Sequence, residues 1–190
     1  MKMTAIEKYF VNSPGHTGSV ARHAIRLMDR IEIQPGWRYL DVGCGVGGAP
    51  RKIAETYSLD VTGVDIDPEQ IEAAGRGGSL PNLRFKVADA TQLPFAGGEF
   101  DIVAASKVTH HIPEWKHAIG EMARVTRSGG YLVYSDSIVP KWLISVGRRL
   151  LPAMGFPSEK AIMAVAALAG LELVHRSRGF AQVEIIWKKK

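Results

Sequence analysis

The feature that most constrains the fold is a short apolar run followed directly by a cluster of glycines. Residues 39–42 (Tyr-Leu-Asp-Val) have the composition of a buried strand. Four glycines follow within six residues: Gly43, Gly45, Gly47 and Gly48. Glycine lacks Cβ and lets the backbone turn tightly against a ligand. Because residues 49–57 then have helical composition, with Pro50 near their start, the stretch predicts a nucleotide-binding corner of an α/β sheet.

Two carboxylates distinguish this corner from a pyrophosphate site. The glycines match G-x-G-x-x-G, which alone is a weak indication of a dinucleotide site. Asp41 lies two residues before the first glycine, where its charge would repel a pyrophosphate and attract a cation. Asp65 follows the apolar run 61–64 and lies 22 residues after Gly43, a spacing typical of an acid that accepts both ribose hydroxyls. The ligand predicted from these residues is a ribonucleoside with positive charge and no phosphate.

Further motifs follow in a characteristic order between residues 38 and 136. They are LDVGCGVG at 40–47, GVDI at 63–66, ADA at 88–90, LPF at 93–95, FDIV at 100–103, HHI at 110–112, EMARV at 121–125 and GG at 129–130. In this order the motifs resemble class I S-adenosylmethionine-dependent methyltransferases, close to the branch with the ubiquinone and menaquinone biosynthesis enzymes. Residues 126–128 are Thr-Arg-Ser where that family usually has Leu-Lys-Pro, a departure that we expect to leave the cofactor site unchanged.

The resemblance implies both a fold and a reaction. The fold is α/β and Rossmann-like, with a seven-stranded, mostly parallel sheet, a C-terminal antiparallel hairpin and helices on both faces. The reaction is methyl transfer from S-adenosylmethionine to a small, hydrophobic acceptor such as a phenol, a quinone-like or a lipid-like molecule. The motifs for adenine-N6 or glutamine methylation, Asn-Pro-Pro-Tyr and Asp-Pro-Pro-Tyr, do not occur in the sequence.

The resemblance also implies which residues contact the cofactor. Asp89 would accept a hydrogen bond from the adenine amino group, and the Ala90 N–H would meet a ring nitrogen. A cap of the following turn is the alternative role for Asp89. The other cofactor contacts expected on this basis are Asp41, Gly43, Gly45, Gly47, Asp65, Ile66 and Ser106.

The candidate catalytic residue follows the predicted fourth strand, residues 100–105. In an open parallel sheet the ligand crevice lies outside the carboxyl ends of the strands, so residues 106–111 would face the transferable methyl group. His110 is the candidate general base, because the ordinary pKa of histidine suits proton transfer near neutrality. His111 could share this work, and a structural role for both histidines stays open. Two adjacent histidines without a cysteine partner leave a metal site short of ligands, so no metal is predicted.

The 190 residues fit one domain with four parts. We expect a helical lid over 1–37, a cofactor-binding core over 38–136, a substrate-side cap over 137–157, and a C-terminal helix and hairpin over 158–190. Within the lid, helices are predicted at 4–10 and 20–31, with a loop at 12–19 between them. Tyr9, Phe10 and His16 are candidate ligand contacts there, with core packing or solvation as the alternative.

The sequence also predicts where some later helices and strands begin. Asp67 and Ser158 are candidate N-caps of helices. A helix over 114–125 is predicted to be stopped by residues 128–130, with the fifth strand over 131–135.

Composition favours a cytoplasmic protein that acts on small molecules. The net charge is +5, and Lys188, Lys189 and Lys190 supply three of those charges, so no nucleic-acid partner is expected. Cys44 is the only cysteine, which excludes an internal disulfide. No signal peptide or 18-residue apolar run is evident. The basic, Trp-containing stretch 138–156 would either touch a membrane surface or cap the site, and both interpretations predict a hydrophobic acceptor.

Two other functional classes remain open from the sequence. One is an NAD-dependent oxidoreductase, which the glycine pattern alone would allow. The other is a protein that binds the cofactor without transferring its methyl group, an alternative raised by the short chain. The sequence does not indicate an oligomeric state.

Overall fold

The computed structural model describes residues 13–137, 157–179 and 182–190, with all their side chains except those of Pro14 and His16. The helix predicted at 4–10, the contacts predicted for Tyr9, Phe10 and His16, and the stretch 138–156 therefore lie outside what the structure describes. Among the described residues, no helix combines the length and the apolar character needed to cross a membrane.

The described part of the chain forms one seven-stranded sheet. Its strands are β1 Arg38–Val42, β2 Asp60–Asp65, β3 Leu83–Val87, β4 Phe100–Ser106, β5 Thr126–Ser137, β6 Leu171–Arg178 and β7 Gln182–Lys189. Their order across the sheet is β3-β2-β1-β4-β5-β7-β6. Strands β1 to β5 pair in parallel, whereas β7 runs antiparallel to both β5 and β6. The predicted sheet, parallel with a C-terminal antiparallel hairpin, is confirmed.

Helices cover both faces of the sheet. They are α1 Pro14–Met28, α2 Gly48–Thr56, α3 Pro68–Arg76, α4 Trp115–Val125 and α5 Glu159–Leu168. Apolar residues of α1 and α2 pack on one face, and those of α4 and α5 pack on the other. Two predicted caps are present: Asp67 accepts from the Glu69 N–H (3.1 Å), and Ser158 accepts from the Ala161 N–H (3.3 Å). Each cap satisfies a backbone donor that its helix leaves free.

The first described helix begins earlier than the sequence pattern predicted. Residues 14–19 were expected to be a loop because of their proline and glycines, but α1 starts at Pro14. Proline is favoured in the first helical turn, where its missing N–H has no intrahelical partner to lose. The backbone carbonyl of Ser13 accepts from both the N–H and the hydroxyl of Thr17 (3.0 and 3.2 Å), which closes the first turn. The predicted loop was therefore wrong from residue 14 onward.

The fifth strand also begins earlier than predicted. The sequence suggested a break at 128–130 and a strand from Tyr131, but α4 ends at Val125 and β5 begins at the next residue. Gly129 takes a left-handed backbone (φ 73°), and an added Cβ on Gly130 would lie 2.6 Å from the Asp101 carbonyl oxygen. The glycine pair therefore allows β5 to approach β4 closely, beside a register shift between Phe100 and Ile102, and does not interrupt the strand.

Substitution Gly47→Ala should destabilise the fold by about 2–4 kcal/mol. Gly47 has φ 78°, and an added Cβ would lie 2.6 Å from Cζ of Phe85 and 2.9 Å from Cβ of Ala74. The substitution therefore adds backbone strain and a steric clash between α2 and β3. Urea denaturation measures the effect.

Gly75→Ala is the matched control, because Gly75 lies in α3 with no atom near the added Cβ. It should stabilise the protein by about 0.5–1 kcal/mol, the difference in helix propensity. Equal free energies of unfolding for the two variants would contradict the packing role assigned to Gly47.

Candidate active site

A cavity of about 330 Å³ lies at the edge of the sheet where the five parallel strands end. This volume is within the range of small-molecule sites. Its wall includes nine of the ten residues predicted for the site: Asp41, Gly43, Gly45, Asp65, Ile66, Asp89, Ala90, Ser106 and His110. The tenth, Gly47, does not line the cavity; it precedes α2 and packs against Phe85. The part of the loop that lines the cavity therefore comprises Gly43, Cys44, Gly45, Val46 and Gly48.

The order of the strands arranges the polar groups of the cavity in a row. The row runs from Asp89 after β3, through Asp65 on β2 and Asp41 on β1, to Ser106 on β4 and Ser137 on β5. Neighbouring strands in a sheet are about 5 Å apart. A ligand that lies along this edge would therefore meet three carboxylates, those of Asp89, Asp65 and Asp41, before it reaches β4.

The glycine loop uses its own amides to hold its shape. The Gly43 and Cys44 N–H groups donate to the Val64 carbonyl oxygen (2.8 and 2.9 Å). The Gly45 N–H donates to Oδ2 of Asp65 (2.9 Å), and the Gly47 N–H donates to the Cys44 carbonyl oxygen (3.0 Å). A phosphate site would need such donors to point at the ligand. Here these four N–H groups already donate to acceptors within the protein, which disfavours binding of a pyrophosphate.

The carboxyl group of Asp41 is the most unusual group of the site. The residue is only 5% exposed, yet within the described ranges no hydrogen-bond donor or cation is paired with its side chain. Burial, and secondarily the charge of Asp65, raise the pKa of Asp41 to about 7. A buried carboxylate in this situation is stabilised by any cation that enters the cavity.

Asp65 is half-buried and held by backbone donors on both oxygens. Besides the bond from Gly45, its Oδ1 accepts from the Asp67 N–H (3.0 Å). Burial raises the pKa of Asp65, while the backbone hydrogen bonds oppose that increase. The bonds therefore fix the orientation of an acid on the cavity wall, and each carboxylate oxygen retains further acceptor capacity.

Asp89 caps the following turn, the alternative role considered for it from the sequence, and also lines the cavity. Its Oδ1 caps the following turn by accepting from the N–H and the hydroxyl of Thr91 (2.8 and 2.7 Å). The residue is exposed and also lines the cavity, beside the buried Ala90. The cap therefore holds the carboxylate at the β3 end of the row.

His110 is oriented by a buried carboxylate, Asp136. His110 Nδ1 is hydrogen-bonded to Oδ1 of Asp136, which is fully buried. Asp136 also accepts from the backbone N–H groups of His110 (3.2 Å) and Ser137 (2.7 Å), and from the hydroxyl of Thr109. Because Asp136 acts as an acceptor throughout, Nδ1 carries the proton and Nε2 is the basic nitrogen.

A tyrosine completes this network from the sheet side. The hydroxyl of Tyr134 lies 2.6 Å from Oγ1 of Thr109 and 3.3 Å from Oδ2 of Asp136. Burial, followed by the charge of Asp136, raises the pKa of Tyr134 well above its ordinary value, so the hydroxyl stays protonated and can donate. The Asp136 carboxylate is therefore surrounded by donors, which makes its burial tolerable.

The N-terminal helix forms part of the cavity wall. Thr17 and Val20 of α1 line it. Nε2 of His23 lies 3.0 Å from Oγ of Ser135 on β5, and Arg26 donates to its Nδ1 (2.6 Å). Since guanidinium can only donate, Nε2 carries the proton and donates to Ser135. Burial lowers the pKa of His23, the charges of Arg26 and Lys107 add to this, and Glu184 opposes it.

Sequence reasoning missed Asp136 next to the cavity and gave no role in the site to two residues that line it, Lys107 and Glu114. Asp136 belongs to no motif, but it is the last residue but one of β5 and obeys the rule that ligand-side groups follow strand ends. Lys107 was placed in the crevice without a role of its own, and it lines the cavity. Glu114 was considered only as the start of a helix, and it also lines the cavity.

The parallel sheet, the glycine corner and the acidic row define an α/β nucleoside-binding protein whose site disfavours phosphate. A family model described as a methyltransferase domain matches residues 40–134, half of the chain. The chain therefore belongs to that family, the class I S-adenosylmethionine-dependent methyltransferases. The family and the cofactor class predicted from the motifs are confirmed.

Individual proteins that are similar to this chain are also methyltransferases. A sterol 24-C-methyltransferase of Gibberella zeae is 32% identical over 172 residues, covering 83% of this chain and 45% of that protein. A 2-methyl-6-phytyl-1,4-hydroquinone methyltransferase of Synechocystis is 39% identical over 106 residues, 55% of this chain and 33% of that protein. The chain thus spans less than half the length of these relatives. The solved structure of a geranyl diphosphate methyltransferase superposes with a TM-score of 0.77 at 16% identity, covering 94% of this chain and 92% of the other, and confirms the fold.

Asp41→Asn should stabilise the ligand-free protein at pH 8 by on the order of 3 kcal/mol. The folded-state pKa of about 7 lies above the ordinary 3.8, so between these values the folded protein holds a proton that the unfolded chain has lost. The free energy of unfolding of the wild type therefore falls as pH rises through this window, and the variant lacks that slope. Urea denaturation at pH 5 and pH 8 compares the two.

Glu32→Gln is the control, since Glu32 is exposed and outside the cavity. It should leave the pH dependence of the wild type unchanged. Equal pH slopes for Asp41→Asn and the wild type would show that the Asp41 carboxyl does not titrate as proposed.

Proposed function

We propose that the protein transfers a methyl group from S-adenosylmethionine to a small, hydrophobic acceptor. The observation that carries this proposal is the buried, uncompensated carboxyl group of Asp41 on the same cavity as Asp65 and Asp89. A cationic nucleoside would supply the missing positive charge. No step of this assignment requires a metal ion.

The residues of the cavity suit the parts of this cofactor. Asp41 would hold its cationic amino-acid end, and Asp65, on the next strand, would accept from the ribose hydroxyls. Asp89 and the Ala90 N–H would meet the adenine edge, while Ile66, 43% exposed on the cavity wall, offers an apolar surface for the ring. Gly43 and Gly45 allow close approach of the backbone, and Ser106 lies next in the row.

The protein's main contribution to the reaction is alignment. S-adenosylmethionine supplies a methyl group that is already activated on a positively charged sulfur. Correct orientation of two reactants accounts for about 7–11 kcal/mol of barrier reduction in favourable cases. The cavity wall contributes such constraints from residues on or directly after the five parallel strands and from α1.

Proton removal from the acceptor falls to His110. Its Nδ1 is held by Asp136, so Nε2 is free to accept a proton from a hydroxyl group. The side chain is 18% exposed and lines the cavity, where an acceptor could reach it. Asp136 is a positioning residue: it fixes the tautomer and stabilises the imidazolium that forms.

An apolar acceptor is favoured by the apolar residues of the cavity wall. They include Val20, Val108, Ile112 and Pro113. The relatives are named for a sterol and a hydroquinone, both largely apolar molecules with hydroxyl groups. We therefore favour a phenol, a quinone-like or a lipid-like molecule as the acceptor.

Three further assignments are consistent with this function and remain predictions. They are the lid role of residues 1–37, the division into core 38–136, cap 137–157 and C-terminal unit 158–190, and a cytoplasmic location with peripheral membrane contact through 138–156. The contribution of α1 to the cavity wall supports the first of them.

The wild-type protein should bind S-adenosylhomocysteine and should not bind NADH. The N–H groups of Gly43, Cys44, Gly45 and Gly47 already donate within the protein, and the Asp41 carboxylate would repel a pyrophosphate. Isothermal titration calorimetry with both ligands tests this. Binding of NADH alone would replace the methyltransferase with an oxidoreductase.

His110→Ala and Asp136→Asn should lower kcat about 10²–10⁴-fold and leave the affinity for S-adenosylhomocysteine unchanged. Release of S-adenosylhomocysteine in the presence of a phenol and hydroquinone panel measures turnover. His117→Ala, an exposed residue of α4, is the control and should retain wild-type rates. Added imidazole should restore part of the rate of His110→Ala, which a structural histidine would not show.

Wild-type kcat in Asp136→Asn would contradict the positioning role. Tight binding of S-adenosylhomocysteine without turnover of any acceptor class would instead favour a cofactor-binding protein without transferase activity.

A further inference from the structure

Lys107 is the one lysine or arginine on the described cavity wall. The other charged lining residues are acids: Asp41, Asp65, Asp89 and Glu114. Lys107 directly follows β4, which lies between β1 with Asp41 and β5 with Asp136. The backbone of Lys107 therefore lies between the region proposed for the cofactor and the pair His110 and Asp136.

The backbone of Lys107 is strained. With φ 56°, it is the single non-glycine residue with positive φ in the described part of the chain. Its N–H donates to the Ser135 carbonyl oxygen (2.7 Å), which fixes this conformation beside β5. A left-handed residue with a Cβ is energetically unfavourable, and glycine or asparagine would meet the backbone requirement more easily. Lysine at a position with such backbone strain indicates a functional role for its side chain.

The Lys107 ammonium has no counterion among the described residues. The side chain is half-buried, and none of the described acids that share the cavity wall forms an ion pair with it. Its charge is nevertheless felt by His23 on α1. A half-buried ammonium has lost part of its hydration. When it lines a cavity and has no counterion, it favours an anionic ligand, because a charge-assisted hydrogen bond to that ligand would replace the lost contacts with water.

We propose that Lys107 is the anion-binding residue of the cavity and that its ligand is a carboxylate. The inference rests on the proposed function, since it assumes a cofactor and an acceptor in this cavity. The carboxylate is supplied either by the amino-acid end of the cofactor or by the methyl acceptor. In the second case the acceptor is an apolar molecule with a carboxylate at one end, and Lys107 determines specificity.

Calorimetry on the full chain tests this with Lys107→Met, Lys107→Arg and the control Lys52→Met, an exposed lysine of α2. The probes are S-adenosylhomocysteine, 5′-methylthioadenosine, which lacks the amino-acid carboxylate, and 4-hydroxybenzoate added to the S-adenosylhomocysteine complex. Thermal denaturation of Lys107→Asn, which retains a residue tolerant of positive φ, checks that loss of the ammonium does not unfold the site.

A cofactor carboxylate predicts that Lys107→Met binds S-adenosylhomocysteine at least 10-fold more weakly and 5′-methylthioadenosine equally well. An acceptor carboxylate predicts unchanged S-adenosylhomocysteine binding and at least 10-fold weaker 4-hydroxybenzoate binding. In both cases Lys107→Arg should recover most of the loss, and Lys52→Met should match the wild type.

The proposal is overturned if Lys107→Met keeps the wild-type affinity for S-adenosylhomocysteine and also shows no change with 4-hydroxybenzoate. No change means that 4-hydroxybenzoate binds both proteins equally or binds neither of them. Equal weakening of S-adenosylhomocysteine and 5′-methylthioadenosine also overturns it, because the loss would not depend on a carboxylate. Failure of the wild type to bind S-adenosylhomocysteine overturns the proposed function itself. The two failures are therefore distinguishable.

Discussion

The buried carboxyl group of Asp41 is the constraint on which the site depends. A charge excluded from water and close to a second acid is unfavourable, and the rest of the fold must compensate for it. The parallel pairing of β1 with β2 and β4 holds Asp41 in place, and the glycine loop is closed by its own hydrogen bonds. The ligand-free protein is therefore destabilised at Asp41, and a cation bound in the cavity would remove this destabilisation.

The strand order determines the order in which the functional groups lie along the cavity. Moving from β3 to β5, the cavity presents Asp89, Asp65, Asp41, Lys107 and finally His110 beside Asp136. Groups suited to a nucleoside come first and a group suited to proton transfer comes last. The crossover from β3 to β4, which skips β2 and β1, makes this possible because it places β4 directly beside β1.

Local sequence was sufficient for the part of the site that depends on local chemistry. Gly43, Asp41 and Asp65 lie within one strand-loop-helix-strand unit, so their spacing determines their geometry. Asp136 could not be found this way, because its contact with His110 spans 26 residues and depends on the neighbouring positions of β4 and β5. The start of α1 was missed because Pro14 and its glycines suit both a loop and a first helical turn.

Strand β5 joins two functions through adjacent residues. Ser135 accepts from His23 on the α1 face, and Asp136 holds His110 on the opposite face. Successive side chains of a strand point to opposite sides, so both contacts depend on the position of a single peptide unit. A substitution that shifts this peptide unit would therefore disturb the contact with the N-terminal helix and the orientation of the imidazole together.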